Sequence, residues 1–247
     1  MTVPLFWITR DKSRRIRSRN GTAFFLKTDK GPFAVTANHV IEGWRRDRSE
    51  QNASLLQLLD GYRLDLEKRN AVISAHAGID IATFCISESD IKAMGKIAYE
   101  GYQDWPPRPP QEGKGIYYAG FPGVETLLTS PYEFRFGMAN GGGIATSISE
   151  KDVSSLIERE HIFGLLGESV PPENYDFRGV SGGPMLAVFD YNGLRLSALA
   201  GVLYEGPNPS TDPEQSIAGL EIVKARRSHF ILPDGSLDIQ RWNDLNL

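Results

Sequence analysis

Short apolar segments separated by Gly, Pro, Asp or Asn are the feature that most limits what this chain can fold into. The segments are rich in β-branched and aromatic residues, which favour strands over helices. The candidate strands are Thr22–Thr28, Phe33–Thr36, Ala71–Ala75, Ile79–Ile86, Gly115–Ala119, Ile144–Ile148, Pro184–Phe189, Leu194–Leu203 and Ile217–Ile222. The pattern predicts an all-β chain of antiparallel barrels or sandwiches.

Helical signals are few. Ser149 and Asp152 are spaced as in a capping box, and an apolar stripe at Val153, Leu156 and Ile157 follows them. The spacing predicts a short helix near 150–160. The weaker helix candidates are Ser54–Leu59, Asp90–Ala98 and Ser236–Leu247, the last of which is alternatively a terminal strand.

A proline-rich segment, Asp104–Pro110, divides the chain near its middle. Pro106, Pro107, Pro109 and Pro110 exclude a helix interior or a central strand and favour an extended spacer. We therefore expect an N-terminal β-barrel at 1–103, a crossover linker at 104–112, and a C-terminal β-barrel with a terminal segment at 113–247.

The charge balance does not favour a nucleic-acid partner, because the formal net charge is −4. Basic residues nevertheless crowd one early segment that contains Lys12, Arg14, Arg15, Arg17 and Arg19. We interpret this segment as a solvated strand edge that discourages aggregation, with a docking surface for an acidic partner as the alternative.

Cysteine content indicates a reducing compartment. Cys85 is the only cysteine, so the chain cannot form an internal disulfide, and we expect Cys85 in the core. The N-terminal run Val3–Ile8 is too short for a signal-peptide core, and no stretch is long enough to span a membrane. These observations predict a cytoplasmic protein without membrane contacts.

The segment Phe177–Pro184 places one hydroxyl, Ser181, among small residues. A serine becomes a nucleophile only when a neighbouring base accepts its proton and fixed N–H groups stabilise the developing oxyanion. Glycines allow the backbone to approach a substrate carbonyl closely enough to supply those donors. The segment therefore predicts a nucleophile loop.

Within that loop, Gly179–Pro184 resembles the Gly-x-Ser-Gly-Gly-Pro motif of the chymotrypsin/trypsin clan of serine peptidases. Further segments resemble clan motifs in the same chain order: Gly21–Phe25 and Thr36–Val40 around the histidine, Asp80–Ala82 for the aspartate, and Ala200–Leu203 after the serine. Gly115–Gly123 is similar to the Gly-Phe-Pro strand end of compact bacterial members.

The resemblance implies a fold of two antiparallel six-stranded β-barrels. It also implies a serine endopeptidase that acts through an acyl-enzyme and cleaves a particular protein target by limited proteolysis. It assigns Ser181 as nucleophile, His39 as general base and Asp80 as the residue that orients His39. The N–H groups of Gly179 and Ser181 would form the oxyanion hole. The resemblance implies no metal and no cofactor, and a protein or peptide as substrate.

The chain departs from the secreted branch of the clan at Val180, where that branch has an aspartate that pairs with a newly cut N-terminus. Activation by N-terminal cleavage is therefore not expected. Two alternatives stay open: the loop forms without help, or an activating protein partner or neighbouring protomer orders it.

The residues that would line the primary pocket precede the nucleophile or lie on later strands. They are Tyr175, Asp176, Arg178, Leu203, Tyr204, Gly206 and Gly219. Asp176 would attract a basic side chain, whereas Tyr175 occupies the offset of the aspartate that gives trypsin-like enzymes their specificity. Alternatively, Asp176 or Tyr175 caps the loop and does not determine specificity.

Two other functions compete with the peptidase. Gly179–Gly183 also satisfies the Gly-x-Ser-x-Gly motif of an α/β-hydrolase esterase, for which Asp212 and His229 would complete the triad. A catalytically silent module that only binds a partner is the second alternative. We expect the remaining histidines, His76, His161 and His229, to be surface or partly buried residues without metal-ligand spacing.

Overall fold

The computed structural model describes residues 1–10, 16–51, 53–59, 62–68, 70–101, 105–130, 133–163, 171, 175–206 and 220–246. Within these residues strands dominate, and they form two large sheets and one separate hairpin. The predicted all-β class is confirmed. Among the described helices, none has the length and apolarity needed to cross a bilayer.

The N-terminal sheet curls into a half-barrel of antiparallel strands, with one short strand added in parallel. Its strands are β1 (Thr2–Arg10), β2 (Ile16–Thr28), β3 (Gly31–Thr36), β4 (Leu56–Gln57), β5 (Arg63–Leu64), β6 (Val72–His76), β7 (Ile81–Cys85) and β8 (Tyr99–Glu100). The order across the sheet is β5-β4-β1-β2-β3-β7-β6, and β8 pairs with β2.

The C-terminal sheet closes into a six-stranded barrel. Its strands are β9 (Gly115–Gly120), β12 (Ala139–Ile148), β13 (Asp152–Glu158), β14 (Ile162–Phe163), β15 (Pro184–Tyr191), β16 (Leu194–Glu205) and β17 (Leu220–Arg227). The order β13-β17-β16-β15-β9-β12 returns to β13 through a second pairing, and β14 adds to β12. The separate hairpin consists of β10 (Thr126–Ser130) and β11 (Glu133–Phe136).

Helix α1 (Asn38–Gln51) connects β3 to β4 and was not predicted from the sequence. Val40, Ile41 and Trp44 bury one face of it against the half-barrel, at a spacing that suits a helix. Asp47 on the same side is 1% exposed and accepts a hydrogen bond from the Trp7 ring nitrogen at 2.7 Å. This buried carboxylate, together with Gly43 and three arginines, obscured the apolar stripe.

Two further helices match the weaker candidates in part. Helix α2 (Glu88–Ala93) is capped by Ser87 and ends earlier than the predicted Asp90–Ala98. Helix α3 (Ile239–Asp244) shows that the C-terminal segment contains a helix and not a terminal strand. The third candidate, Ser54–Leu59, is wrong, because part of it is β4, which pairs with β1.

The helix predicted near 150–160 is wrong, because this segment is the strand β13. Val153, Ser155 and Ile157 face inward at a strand spacing, and the buried serine concealed the alternation in the sequence. The Ser149–Asp152 contact does form, since the Ser149 hydroxyl accepts the Asp152 N–H at 2.9 Å. It stabilises the turn between β12 and β13 instead of beginning a helix.

The two β units share a core where they meet. Its fully buried members include Phe24 and Ile79 from the first unit and Leu199, Val202 and Phe230 from the second. Each such side chain contributes about 2 kcal/mol through removal of apolar surface from water. This shared core fixes the relative position of loops that the two units present at their contact.

Cys85 and Trp105 each occupy a position that bears on the sequence-based expectations. Cys85 at the end of β7 is exposed, so the expectation that it lies in the core is wrong. Trp105 in the proline-rich segment donates its ring N–H to the Ile231 carbonyl at 2.7 Å, which attaches this segment to the second unit. The division at 1–103, 104–112 and 113–247 stays a prediction.

Candidate active site

His39 and Asp80 form a doubly hydrogen-bonded pair. The His39 ring Nδ1 lies 2.7 Å from Asp80 Oδ2, and the His39 backbone N–H donates to Asp80 Oδ1 at 2.9 Å. His39 is the second residue of α1, so its N–H is one of the donors that a helix leaves unsatisfied at its N-terminus. The Asp80 carboxylate satisfies that donor and is also favoured there by the helix dipole.

The backbone holds Asp80 in a left-handed conformation, with φ of +58°. The Asp80 N–H donates to the His76 carbonyl at 2.8 Å, and the Asp80 carbonyl accepts the Asn38 N–H at 3.2 Å. Asp tolerates this conformation better than most residues. The carboxylate is therefore fixed from both sides, and its side chain is 18% exposed against 48% for His39.

With Nδ1–H donating to Asp80, a neutral His39 presents Nε2 as a free proton acceptor. The ring is half-exposed, so a bound substrate is able to reach it. The pair therefore has the geometry of a base and its orienting carboxylate.

The loop that carries Ser181 is hydrogen-bonded to the first β unit. The Thr22 N–H donates to the Ser181 carbonyl at 2.8 Å, and the Thr22 hydroxyl donates to the Gly179 carbonyl at 2.8 Å. Thr22 lies on β2 and is fully buried. These two bonds attach the nucleophile loop to the sheet whose next strand leads into His39.

Gly182 fits into this contact only because it lacks a side chain. A Cβ at this position would lie 2.1 Å from the Thr22 carbonyl oxygen, 2.3 Å from Thr36 Oγ1 and 2.9 Å from the Ala37 nitrogen. Its φ of +90° also favours glycine. Because Ala37 is two residues before His39, the backbone after Ser181 lies directly against the segment that carries His39.

The Ser181 hydroxyl itself is loosely held. It faces the Tyr204 carbonyl at 3.4 Å, which is long for an O–H···O hydrogen bond. Among the residues that the structure describes, no other acceptor engages this hydroxyl. Because this contact is weak, rotation about the Ser181 Cα–Cβ bond breaks it at little cost in free energy.

Two backbone N–H groups of the loop are available as donors. The Arg178 carbonyl accepts the Gly123 N–H at 2.7 Å, and a planar trans peptide directs the Gly179 N–H to the opposite side. Within the described ranges, neither the Gly179 N–H nor the Ser181 N–H has an acceptor. Gly179 has a φ of +109°, and a Cβ there would lie 2.6 Å from the Phe121 carbonyl oxygen.

The Gly120–Gly123 segment supports the loop from the second unit, which gives the Gly-Phe-Pro motif a physical role. The Phe121 N–H donates to the Thr22 hydroxyl at 2.9 Å, and Asn20 donates its side-chain amide to the Phe121 carbonyl at 2.6 Å. Sequence reasoning missed Asn20 and the Thr22 side chain. Asn20 adjoins the Gly21–Phe25 motif and Thr22 lies within it, and this was their only signal in the sequence.

The acidic and aromatic residues before the nucleophile are engaged with neighbours. Asp176 accepts hydrogen bonds from the Arg178 side chain and from its N–H, and these contacts hold the pKa of Asp176 below its usual range. The Tyr175 hydroxyl donates to Glu125 at 2.7 Å; burial first, then this hydrogen bond, raises the Tyr175 pKa. Asp176 therefore caps the loop.

The later pocket candidates have different environments. Leu203 is fully buried and holds the loop through its backbone, accepting from Gly182 at 2.7 Å and donating to Gly183 at 2.8 Å, so its side chain does not line a pocket. A Cβ on Gly206 would lie 3.1 Å from the Val180 side chain. Gly219 lies outside the described residues, as does Asp212.

Tyr204 is partly buried on β16. Burial, followed by the nearby Asp152 carboxylate, raises the pKa of the Tyr204 phenol to about 12. Its ring lies against the Arg226 guanidinium, 4.8 Å from ring centroid to Cζ. The backbone carbonyl of Tyr204 faces Ser181, whereas the side chain points into the contact between the two units.

Within the described residues, no other histidine side chain is hydrogen-bonded to His39, Asp80 or Ser181. His76 accepts the Ile79 N–H on its Nδ1 at 3.0 Å and so stabilises the turn before Asp80. His229 is 8% exposed and, within the described chain, its Nε2 has no hydrogen-bond partner. Burial, followed by the positive charges of Arg227 and Arg241, lowers the His229 pKa to about 4.

Comparisons with known proteins add little to this geometry. No protein-family model and no curated protein sequence matches the chain. Among solved structures the chain is similar to the crystal structure of Deg5, with 15% sequence identity, coverage of 83% of this chain and 78% of that chain, and a TM-score of 0.38. A likeness this weak assigns no activity, so the residues themselves must carry the functional argument.

Proposed function

We propose that this chain is a serine endopeptidase in which Ser181, His39 and Asp80 act as a catalytic triad. The observation that carries the proposal is the His39–Asp80 pair, with its 2.7 Å contact, beside a nucleophile loop attached to the same β unit. A base with a fixed tautomer and a glycine-flanked hydroxyl are the two components that acyl transfer requires.

The proposed reaction gives each of these three groups one role. Ser181 Oγ rotates from the Tyr204 carbonyl and gives its proton to His39 Nε2 as it attacks the scissile carbonyl carbon. Asp80 stabilises the imidazolium, which then protonates the leaving amine, so that the C–N bond breaks and an acyl-enzyme remains. Water deacylates Ser181 by the same proton transfers in reverse.

The N–H groups of Gly179 and Ser181 act as the oxyanion hole in this proposal. Hydrogen bonds from Thr22 and Gly123 to the carbonyls of the loop keep both donors free without a second protein. The proposal therefore favours a loop that forms without an activating partner. In this proposal, these hydrogen bonds replace the salt bridge to a newly cut N-terminus, because Val180 has no carboxylate to form one.

The substrate in this proposal is a protein or peptide. The engagement of Asp176 by Arg178 argues against a pocket selective for Lys or Arg. Because Cys85 is the sole cysteine and is exposed, the proposal includes a reducing, cytoplasmic setting. Limited cleavage of a particular target stays part of the proposal.

The observed fold excludes the esterase alternative. An α/β-hydrolase has a helix directly after the nucleophile, whereas here Pro184–Tyr191 is the strand β15 in a closed barrel. His229, the base that the esterase would need, is buried in the turn that follows β17.

The silent binding module is favoured by one observation, the contact of the Ser181 hydroxyl with the Tyr204 carbonyl. Catalytic hydrogen bonds are often long in a free enzyme and tighten when substrate binds, so this contact does not outweigh the His39–Asp80 pair that supports the peptidase proposal.

A peptide-library digestion tests the peptidase. Wild type should release new N-termini at defined sequence positions, and Ser181→Ala and His39→Ala should each remove nearly all cleavage. His229→Ala is the matched control and should cleave like wild type at pH 7. Cleavage that survives in Ser181→Ala at the wild-type rate would show that another group performs the chemistry.

A further inference from the structure

Arg226 is a buried cation at the contact between the two β units, and the triad does not use it. It lies on β17, and only 10% of its side chain is exposed. Its Nε donates to the Ile79 carbonyl at 2.7 Å, and its Nη2 faces the Gly78 carbonyl at 3.5 Å. Gly78 and Ile79 are the two residues before Asp80, so Arg226 binds the turn that carries the orienting carboxylate.

The same guanidinium contacts the strand on the serine side. Its Cζ lies 4.8 Å from the centroid of the Tyr204 ring and 4.7 Å from that of Trp242, so the cation lies between two aromatic rings. The Tyr204 backbone carbonyl is the group that faces the Ser181 hydroxyl. One side chain therefore links the turn before Asp80 to the strand beside Ser181.

Only arginine suits this position. Its planar group donates hydrogen bonds in the plane while its two faces stack on rings, which an ammonium group does not do. The charge is balanced by Asp152, which accepts from Nη1 at 2.7 Å. Without that carboxylate, a cation so deeply buried would be costly.

The turn has little freedom to move away from Arg226. A Cβ on Gly78 would lie 2.9 Å from the ring nitrogen of Trp242 and 3.1 Å from His76 Cε1. Trp242 belongs to the C-terminal helix α3, and its ring contacts both Gly78 and the Arg226 guanidinium. The position of the turn is thus determined by Arg226 and Trp242 together.

We propose that Arg226 is a positioning residue for the triad: it fixes the turn before Asp80 relative to the strand of Tyr204, and so holds the His39–Asp80 pair in register with Ser181. This role rests on the proposed peptidase function. Because catalysis depends on reacting atoms within a fraction of an ångström, a small shift of the turn reduces turnover without changing substrate binding.

The first test compares kinetics in matched variants. Arg226→Met keeps the length of the side chain, and it is made in an Asp152→Asn background so that no carboxylate loses its cation. In Asp152→Asn alone, the amide oxygen still accepts the hydrogen bond from Arg226 Nη1. Relative to Asp152→Asn alone, the double variant should lose about 10- to 100-fold in kcat while KM stays within about threefold. Arg226→Lys, which keeps a charge and a donor, should recover part of that loss.

The matched control is Arg227→Met. Arg227 is the next residue on the same strand and donates to the Ser149 carbonyl at 3.1 Å, a contact within the second unit only. It should retain wild-type kcat. All variants are measured well below their unfolding temperatures, so that a loss of stability alone does not reduce the rate.

The second test does not need activity. The proton between His39 Nδ1 and Asp80 gives a low-field proton NMR resonance when the pair is held in place. This resonance should persist in wild type, Asp152→Asn and Arg227→Met, and should disappear or broaden in the Arg226→Met double variant.

The two tests separate this proposal from the peptidase itself. If the double variant keeps its resonance, or keeps kcat within about twofold of Asp152→Asn, the positioning role is wrong. If wild type turns over no substrate, the peptidase proposal fails, and the resonance alone then decides whether Arg226 positions the pair.

Discussion

The Thr22 hydroxyl donates a hydrogen bond of 2.8 Å to the Gly179 carbonyl, and it accepts the Phe121 N–H at 2.9 Å. One buried side chain on β2 thus holds a peptide of the nucleophile loop and the segment that supports it. The Gly179 carbonyl is thus held on this side of the loop by a buried hydroxyl.

Thr22→Val should therefore lower both stability and reactivity. Valine has nearly the same shape but leaves the Phe121 N–H and the Gly179 carbonyl without their partner, at a cost of about 2 kcal/mol in the free energy of unfolding. We expect the rate of peptide cleavage to fall about tenfold. Thr22→Ser keeps the hydroxyl and should restore most of both values in urea unfolding and kinetic assays.

Two glycines with similar backbone angles provide a matched test of the contact between the units. Gly182 has a φ of +90° and no room for a Cβ, whereas Gly193 has a φ of +80° and nothing within 4 Å of an added Cβ. Gly193→Ala should lower the melting temperature by about 3 °C, the cost of the angle alone. Gly182→Ala should lower it by about 10 °C or more, because the clash adds to that cost. Equal decreases in thermal unfolding would contradict the tight contact.

Asp80→Asn tests the role of the carboxylate. Asparagine tolerates the left-handed angle of residue 80, so the protein should fold. Its amide would donate to the His39 ring and favour the wrong tautomer. The expected loss in kcat is roughly 10⁴, the magnitude established for this substitution in a Ser-His-Asp triad. A folded Asp80→Asn protein with most of its activity would mean that another carboxylate orients the base.

His229 predicts a dependence of stability on pH. Its folded-state pKa is about 4, below its value of about 6.5 in the unfolded chain, so the unfolded state binds more protons between these values. The unfolding free energy should therefore fall as the pH is lowered from about 6.5 to 4, by about 2 kcal/mol from this group. His229→Gln should show a shallower decrease in urea unfolding across that range; an identical slope would refute this assignment.

The fold class and the close backbone approach around Ser181 were predictable from the sequence because both depend on local patterns. Short segments rich in β-branched and aromatic residues predicted the strands, and glycines around Ser181 predicted a close backbone approach, which the contacts of Gly182 show. The His39–Asp80 contact could be expected only through a resemblance, since 41 residues separate them.

The errors arise where tertiary contacts override a local signal. Ser155 is buried because its hydroxyl donates to the Ile144 carbonyl at 2.9 Å, so a strand was taken for a helix. Asp47 is buried by its bond to Trp7, which hid α1. Neither partner is near in sequence, and no local pattern reveals such pairs.

Labelling with a fluorophosphonate probe tests the central claim most directly, because the probe reacts only with a serine that a neighbouring base activates. Intact-mass measurement and peptide mapping should show one adduct per chain, located on Ser181, and its rate should fall to background in His39→Ala while Arg227→Met reacts like wild type. Folded wild-type protein that acquires no adduct, or acquires it on another residue, would contradict the account.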